Sequence, residues 1–377
     1  MMTARKTLVA ALAATALAAS ACRGGGAAAD SCPADTIRLR HARNLTLVST
    51  EAGLKAIVRN PWDTTRTLAT YLLTERGRQG SGSPDAVRIG TPVRRAVVYS
   101  SVHCHMMAML GCAQAVAGVC DLGYNLNDFV QRGCADGTVA DCGRSAEPSV
   151  ETIVDLGPDL IMLSPYENAG GYGRVGAAGI PILECADYME TSALGRAEWI
   201  RFYGRLLGCA DRADSLFEAI ERRYLRLSRL ALSDPERPVM FTGMRYGQAW
   251  YVSGGNSTVG RLFADAGLSY VFAGRQTAGA DAMSFESVLD AAAHADLWFI
   301  TYNQPTDKTY AEIEAEYAPY ALFDAFGKRH IWGCNTSRSR YFEETSFEPD
   351  ALLHDLIVVA HPHLLPNDTT LYFKPLR

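Results

Sequence analysis

No apolar run in this 377-residue chain reaches the ~20 positions needed to cross a bilayer. The motifs C-x-x-C, H-E-x-x-H and G-x-x-x-x-G-K-[ST] are also absent. Their absence removes the strong sequence marks of structural zinc, thiol redox, metalloprotease and P-loop chemistry. No long basic run occurs, and the formal net charge is -5, which argues against nucleic acid as a partner. Proline is missing from residues 192–231, which leaves that stretch free to stay helical.

The chain opens MMTARKTLVAALAATALAASAC. Arg5 and Lys6 form a basic start, and Leu8 to Ala19 an apolar stretch too short to span, which is the pattern of an export signal over residues 1–21. Small residues leading into Cys22 resemble a bacterial lipoprotein signal with Cys22 as the acylated residue, although Ala19 stands where a Leu or Val is usual. The alternative is ordinary cleavage near Ala21. Residues 22–35 then read as a lipidated Cys and flexible tether. Loss of Arg5 and Lys6 takes the formal charge to -7.

Ten cysteines are scattered along the chain. Export makes disulfides possible, and Cys134 with Cys142, bracketing CADGTVADC, is the pair the spacing favours. Cys112, Cys120, Cys185 and Cys209 lie in apolar contexts and read as buried thiols.

Residues 36–92 show partial alternation in IRLRHARNLTLVST, GLKAIVRN and TRTLATYLLTE, a β-rich N-terminal addition. From 93 the texture changes. RAVVYS, AVAGV, DLIMLS and IPILEC read as buried strands separated by helices, an α/β lobe over 93–190. Within 191–232, Leu194, Ala197, Ile200, Tyr203 and Leu207 keep helical spacing, while Trp199, Phe202 and Leu206 form a second stripe. A helix apolar on so much of its girth packs on more than one side. Gly208 ends it and a more charged helix follows. PVMFTG, AWYVSG, DLWFITY and HIWGC then restart the alternation, a second lobe over 233–377. The two lobes echo each other: PSVETIVDLGPDLIMLSPY (148–166) and MSFESVLDAAAHADLWFITY (283–302) both run Ser, apolar, Glu, then Asp-Leu, an apolar strand and a Tyr. Ser149 and Ser284 are helix caps, with Glu151 and Glu286 in the first turns. Glycine-rich GGYG (170–173) and SGGNSTVG (253–260) read as loops rather than nucleotide cradles.

EPSVETIVDLGPDLIMLSPYENAGGYGRVGAAGIPILEC resembles the helix-strand-helix-strand run of the substrate-binding proteins that serve ABC importers of metal chelates. SFESVLDAAAHADLWFITY resembles the matching run of that family's second lobe, and SALGRAEWIRFYGRLLG sits where the family has a rigid interdomain helix. The resemblance covers roughly 93–365 and leaves 23–92 without a role. It implies an α/β fold of two Rossmann-like lobes joined by a long rigid α-helix and a small hinge motion. It also implies a monomeric, non-enzymatic carrier with no covalent cofactor. Such a carrier is lipid-anchored on the periplasmic side of the cell envelope and hands its cargo to an ABC permease dimer with its ATPase subunits. On the resemblance, Glu151 and Glu286 are the permease-docking residues.

The ligand in such proteins lies between the lobes against loops that follow the strands. Here those loops hold Ser100, Ser101, His103 and Cys104, then Tyr124, Arg144, Tyr166 and Glu167. The second lobe offers Tyr246, Trp250, Tyr251, Tyr302, Asn303, Arg338, Arg340 and Tyr341. Rings supply contact area and guanidinium groups charge, a combination suited to a large, flat, anionic ligand. The expected cargo is an iron complex, a siderophore or haem, with vitamin B12 next.

His103-Cys104-His105 admits three readings. A direct zinc or manganese site would need outside ligands such as Glu167 or His294, because neighbouring helical residues point roughly 100° apart; one of the two imidazoles reaching a chelated iron or cobalt in the cleft is the better metal reading. A catalytic Cys104 with His103 would make the chain an exported enzyme. The favoured reading is a cleft corner: a helix capped by Ser100 or Ser101, with at least one of Ser101, His103 and Cys104 touching ligand.

Overall fold

A computed structural model describes residues 36–77, 85–167, 170–277 and 279–377; the expected export signal over 1–21 and the expected lipidated Cys22 and tether over 22–35 lie outside them. The chain enters through a five-stranded sheet in sequential order, Thr36–Ile37, Leu45–Thr50, Gly53–Arg59, Thr67–Glu75 and Val87–Thr91. The last strand is parallel to its neighbour and the others are antiparallel. Leu45 and Leu47 are buried and Thr46 exposed, so alternation puts one face inward. That face builds no separate core. Leu47, Val58, Tyr71 and Ile89 pack in one cluster with Val98, Met106, Trp199 and Phe202 of the first lobe.

The first lobe is an all-parallel sheet of five strands in the order Ile182–Glu184, Leu160–Leu163, Ala96–Val98, Val116–Val119 and Ala140–Asp141. The order reverses at Ala96–Val98, the switch point of a doubly wound sheet. Helices cover both faces, and the strands AVV, VAGV and LIML are buried throughout. Gly118 is required in its strand, since a Cβ there would come within 2.7 Å of Cys142 Sγ and 2.8 Å of Leu156.

The second lobe has a five-stranded sheet ordered Ser269–Tyr270, Val239–Thr242, Leu297–Tyr302, Ile331–Asn335 and Lys374–Pro375, parallel except at the last pairing. A three-stranded antiparallel sheet, Arg245–Tyr246, Ala249–Ser253 and Ala280–Met283, accompanies it. Phe241 stacks on Trp298 at 5.1 Å and meets Phe323 at 4.8 Å in this core.

A helical hairpin joins the lobes. Ala193 and Leu194, at its start, belong to the second core, while Ala197, Trp199, Ile200, Phe202 and Leu206 belong to the first. Gly208, in the left-handed region at φ 76°, ends the helix Ile200–Leu207. Ala210–Ser233 then returns as a 24-residue helix, carrying Phe217 in the first core and Tyr224 and Ala231 in the second. Its length is about 36 Å at ~1.5 Å per residue. Two helices crossing together make a stiff connection.

Candidate functional site

The strand ends of the first lobe open into a cavity of about 990 Å³, and every residue lining it belongs to that lobe. Ala96–Val98 delivers Tyr99, Ser100 and Ser101; Val116–Val119 delivers Cys120, Asp121 and Tyr124; Leu160–Leu163 delivers Ser164 and Tyr166. A hairpin of Gly143–Arg144 and Glu147–Pro148 supplies Ser145 and Glu147, and the turn after Gly170 supplies Tyr172 and Arg174. This is the crevice outside the carboxyl ends of the strands, at the switch point, where open α/β sheets bind ligands.

Local geometry shapes the wall. Asp121 adopts left-handed backbone at φ 52°, and its Oδ1 accepts from Ser145 N at 3.2 Å, fixing the hairpin against the strand end. Tyr172 is also left-handed, φ 62°, and its hydroxyl donates to Glu184 Oε1 at 2.6 Å. Non-glycine residues held there cluster at functional sites. Burial raises the Glu184 carboxyl above its ordinary range, with the Tyr172 hydrogen bond pulling it down. Glu184 N donates to the Tyr71 hydroxyl at 2.8 Å, so the N-terminal sheet buttresses the cavity wall. Tyr124 is 79% exposed and Tyr166 60%, two large rings at the mouth. The Tyr99 hydroxyl is buried without a hydrogen-bond partner.

Of the residues expected from sequence, Ser100, Ser101, Tyr124 and Tyr166 line this cavity. Ser100 holds the cap position of helix Ser101–Met109, but its hydroxyl makes no cap hydrogen bond. Arg144 and Glu167 are exposed neighbours of lining residues and are not in the lining. His103 requires correction. It is buried, and its Nε2 lies 2.8 Å from Asp187 Oδ1. Burial opposes its charge, yet Cys185 and Asp187 raise its protonation above the usual histidine range. Cys104 requires correction too. It is wholly buried, Asn125 Nδ2 donates to its Sγ at 3.4 Å, and burial pushes the thiol up to about 12. A wholly buried thiol that is also held protonated neither meets a substrate nor attacks one, so Cys104 does not serve as the nucleophile.

The two imidazoles of the triplet face different carboxylates. His105 Nε2 bonds Glu348 Oε2 at 2.8 Å, away from His103, and His294 pairs with Asp324 at 3.5 Å. Among the described residues no group of three or more His, Cys, Asp or Glu is placed to hold an ion.

The second-lobe candidates do not share the first-lobe cavity. Trp250 is fully buried in the core and its Nε1 donates to Thr242 O at 2.9 Å, which corrects its assignment to the site. Tyr246 is 82% exposed on a hairpin, and Tyr251 is exposed. The Tyr302 hydroxyl accepts from Lys308 N at 3.0 Å, and Asn303 Nδ2 lies 3.3 Å from Thr336 Oγ1. Arg338 pairs with Asp307 at 3.7 Å; Arg340 pairs with Glu344 at 3.3 Å and with Asp128 of the first lobe at 3.9 Å. Tyr341 lines a separate cavity of about 150 Å³ with Phe299 and Phe373. Cys134 and Cys142, the pair the spacing favours, are unbonded here, and Cys142 is buried.

Sequence reasoning missed Tyr99, Asp121, Glu147, Tyr172 and Arg174. Arg174 and Tyr172 follow the same strand as Tyr166, which was the available signal. Gly171–Gly176 spells G-x-G-x-x-G, a match the loop reading passes over. The structure makes it a 3-10 turn and a four-residue helix after a later strand, not the first-strand crossover of a dinucleotide site.

On the outside of the lobes, Ser149 Oγ accepts from Thr152 N at 3.4 Å and Ser284 Oγ from Ser287 N at 3.2 Å. Exposed Glu151 and Glu286 sit in the first turns of Val150–Asp155 and Phe285–Ala292. Each helix feeds the strand beside its lobe's first strand, so the two carboxylates occupy equivalent places. Glu286 is held below the ordinary carboxyl range by its own backbone N–H and the Ser284 hydroxyl.

With this geometry in hand, the known proteins it resembles are informative. The sequence model of the family described as periplasmic binding protein matches residues 97–334. The chain belongs to that family, the solute-binding proteins of which the two-lobed fold is characteristic. An uncharacterized lipoprotein of Methanocaldococcus jannaschii is 23% identical over 297 residues, covering 76% of this chain and 69% of that one. A structure described as an ABC-type Fe3+-hydroxamate transport system from Saccharomonospora viridis superposes with a TM-score of 0.55 at 17% identity, covering 71% of this chain and 93% of that one. A periplasmic heme binding protein from Pseudomonas aeruginosa gives a TM-score of 0.57 at 14% identity, over 76% of this chain and 98% of that one. At such identities the likeness is one of fold. Among the described residues no helix is long and apolar enough to cross a membrane.

Proposed function

We propose that this protein is the solute-binding component of an ABC importer, that it is anchored through Cys22, and that its cargo is an iron complex, a siderophore or haem. The observation that carries the reading is the cavity of about 990 Å³ with Tyr99, Tyr124, Tyr166, Tyr172 and Arg174 in its wall. That volume lies at the upper end of the roughly 300–1,000 Å³ typical of small-molecule sites and is far beyond the needs of a bare ion. Phenol faces supply flat contact area, and Arg174 supplies charge and stacking. Ser100, Ser101, Ser145 and Ser164 add hydroxyls that donate or accept as the cargo demands. The relatives' descriptions, as a lipoprotein and as carriers of a ferric hydroxamate and of heme, point the same way. Glu151 and Glu286 are then the knobs that dock on a permease dimer, each lobe on one subunit, with steering by charge.

Thermal unfolding of the folded domain against haem, ferric hydroxamates, cobalamin and zinc tests the reading. A ligand of the native state stabilises by about 2.7 kcal/mol at one hundred times its dissociation constant. A shift with an iron chelate alone is the expected result. A shift with cobalamin alone would make the protein a corrinoid carrier, and a shift with zinc alone, or none at all, would overturn the proposal.

A further inference from the structure

We infer that Cys112 and Cys209 close to a disulfide when the protein meets an oxidising disulfide compound, stapling the cavity helix to the interlobe hairpin. The two sulfur atoms already touch, 3.6 Å apart, and both side chains are half-buried. Their backbones are fixed in the same way. Helix Ser101–Met109 ends at Gly111, φ 72°, with Gly111 N donating to Ala108 O at 2.9 Å and Cys112 N to Met107 O at 2.8 Å. Helix Ile200–Leu207 ends at Gly208, φ 76°, with Gly208 N donating to Arg205 O at 3.4 Å and Cys209 N to Gly204 O at 2.7 Å. Both are Schellman endings, and each places its cysteine directly after the left-handed glycine. Two helix ends therefore present their thiols to each other, and the sulfurs must close from 3.6 Å to the ~2.05 Å of a bond. Arg212 holds the same junction together, its Nε and Nη2 both donating to Met109 O at 3.0 and 2.8 Å. The other described cysteines differ: Cys104, Cys120, Cys142, Cys185 and Cys334 are buried, and Cys134 lies elsewhere on its own helix.

The chemistry is thiol–disulfide exchange. Burial and the contact with Cys112 push the Cys209 thiol up to about 12, so Cys112 is the first to attack: its thiolate takes a sulfur of the external disulfide, forming a mixed disulfide and expelling a thiolate. The second cysteine thiolate attacks its neighbour's sulfur, forms the Cys112–Cys209 bond and expels the other half. The two protons lost by the cysteines go to the two released thiolates, so two thiols are oxidised and one disulfide is reduced. The consequence is structural. The helix whose first residue, Ser101, lines the cavity becomes covalently tied to the start of Ala210–Ser233, the helix that reaches both cores.

That the bond exists in the cell rests on the export reading above, and two arms separate the questions. Reduced full-length protein is incubated with oxidised glutathione, remaining thiols are alkylated, and peptides are mapped by mass spectrometry. A peptide pair linking Cys112 to Cys209 is expected. Dithiothreitol should then lower the unfolding midpoint by roughly 5 °C in the wild type and leave the Cys112→Ser/Cys209→Ser variant unmoved. Glutathione adducts or alkyl groups on both cysteines would overturn the inference. Cell fractionation with the same mapping reports separately on export: linked protein in the envelope supports both readings. Reduced protein confined to the cytoplasm, with closure in glutathione, would contradict export and leave the thiol pair standing.

Discussion

Asp187 Oδ1 accepts from His103 Nε2 and from the Tyr203 hydroxyl, each at 2.8 Å, while Oδ2 accepts from Arg196 Nε at 3.2 Å. Burial alone would raise Asp187, but His103 and Arg196 hold it below the usual carboxylate range, to about 2. Removing one member of such a buried pair strands the other, so His103→Leu should cost about 3–5 kcal/mol by denaturant unfolding. The pH dependence has a definite sign. His103 protonates more readily folded than unfolded, so its contribution is complete below its ordinary 6.5 and fades as pH rises towards the raised value. Asp187 contributes above its ordinary 3.8 and fades as pH falls. The stability gap between wild type and His103→Leu should be widest between those two values and should narrow on the alkaline side. A gap that widens there would refute the assignment. The strand-to-helix junction at Tyr99–Ser101 was legible from sequence, because an apolar run met serines and then helical spacing. The fate of the imidazole was not, since its carboxylate lies 84 positions away and no local pattern encodes it.

Elements pack here through carboxylates as much as through apolar faces. Glu198 accepts from three successive backbone N–H groups, Arg40 at 2.8 Å, His41 at 2.7 Å and Ala42 at 2.8 Å. Glu190 takes Arg43 N and Asn44 N at 2.9 Å and Trp199 Nε1, also at 2.9 Å. The entry loop of the N-terminal sheet is thus clamped to the interlobe hairpin. Glu198→Ala would leave three donors without their charged acceptor, at a cost of about 3 kcal/mol or more. Amide exchange should quicken across 40–59 while Ala96–Val98 keeps its protection; equal loss in both would mean that the clamp is not local. The alternating strands of this sheet and the parallel strands of both lobes could be read from apolar pattern, and Gly208 as the helix stop from its place after the stripe. The docking of the sheet could not, because the carboxylates reach across about 150 residues. Trp250 misled for a related reason: a Trp beside Tyr in AWYVSG has the composition of a binding loop, yet strand alternation turns it inward and Tyr251 out.

The molecule as a whole repeats one plan, a serine-capped helix with an exposed glutamate leading into a buried strand, once in each lobe. The repeat was visible because caps, first-turn carboxylates and strand starts are local features. The cavity was only partly visible, since its wall gathers side chains from four separate connections and no ordering of the sequence shows which of them face one space. If Glu151 and Glu286 are docking knobs, Glu151→Arg/Glu286→Arg should abolish uptake of a radioiron-labelled ferric hydroxamate or haem in cells while leaving its affinity for the purified protein within about twofold. Weakened binding by that variant would instead place the carboxylates near the cargo.

The most direct measurement is calorimetric titration of the wild type and of Tyr166→Ala/Arg174→Ala with a ferric hydroxamate and with haem. Both substituted side chains are in the cavity lining and outside the core clusters, so the variant should unfold at the wild-type temperature. The expected result is saturable binding of one iron complex by the wild type and at least tenfold weaker binding by the variant, about 1.4 kcal/mol or more. Equal affinity in the two proteins would contradict the account.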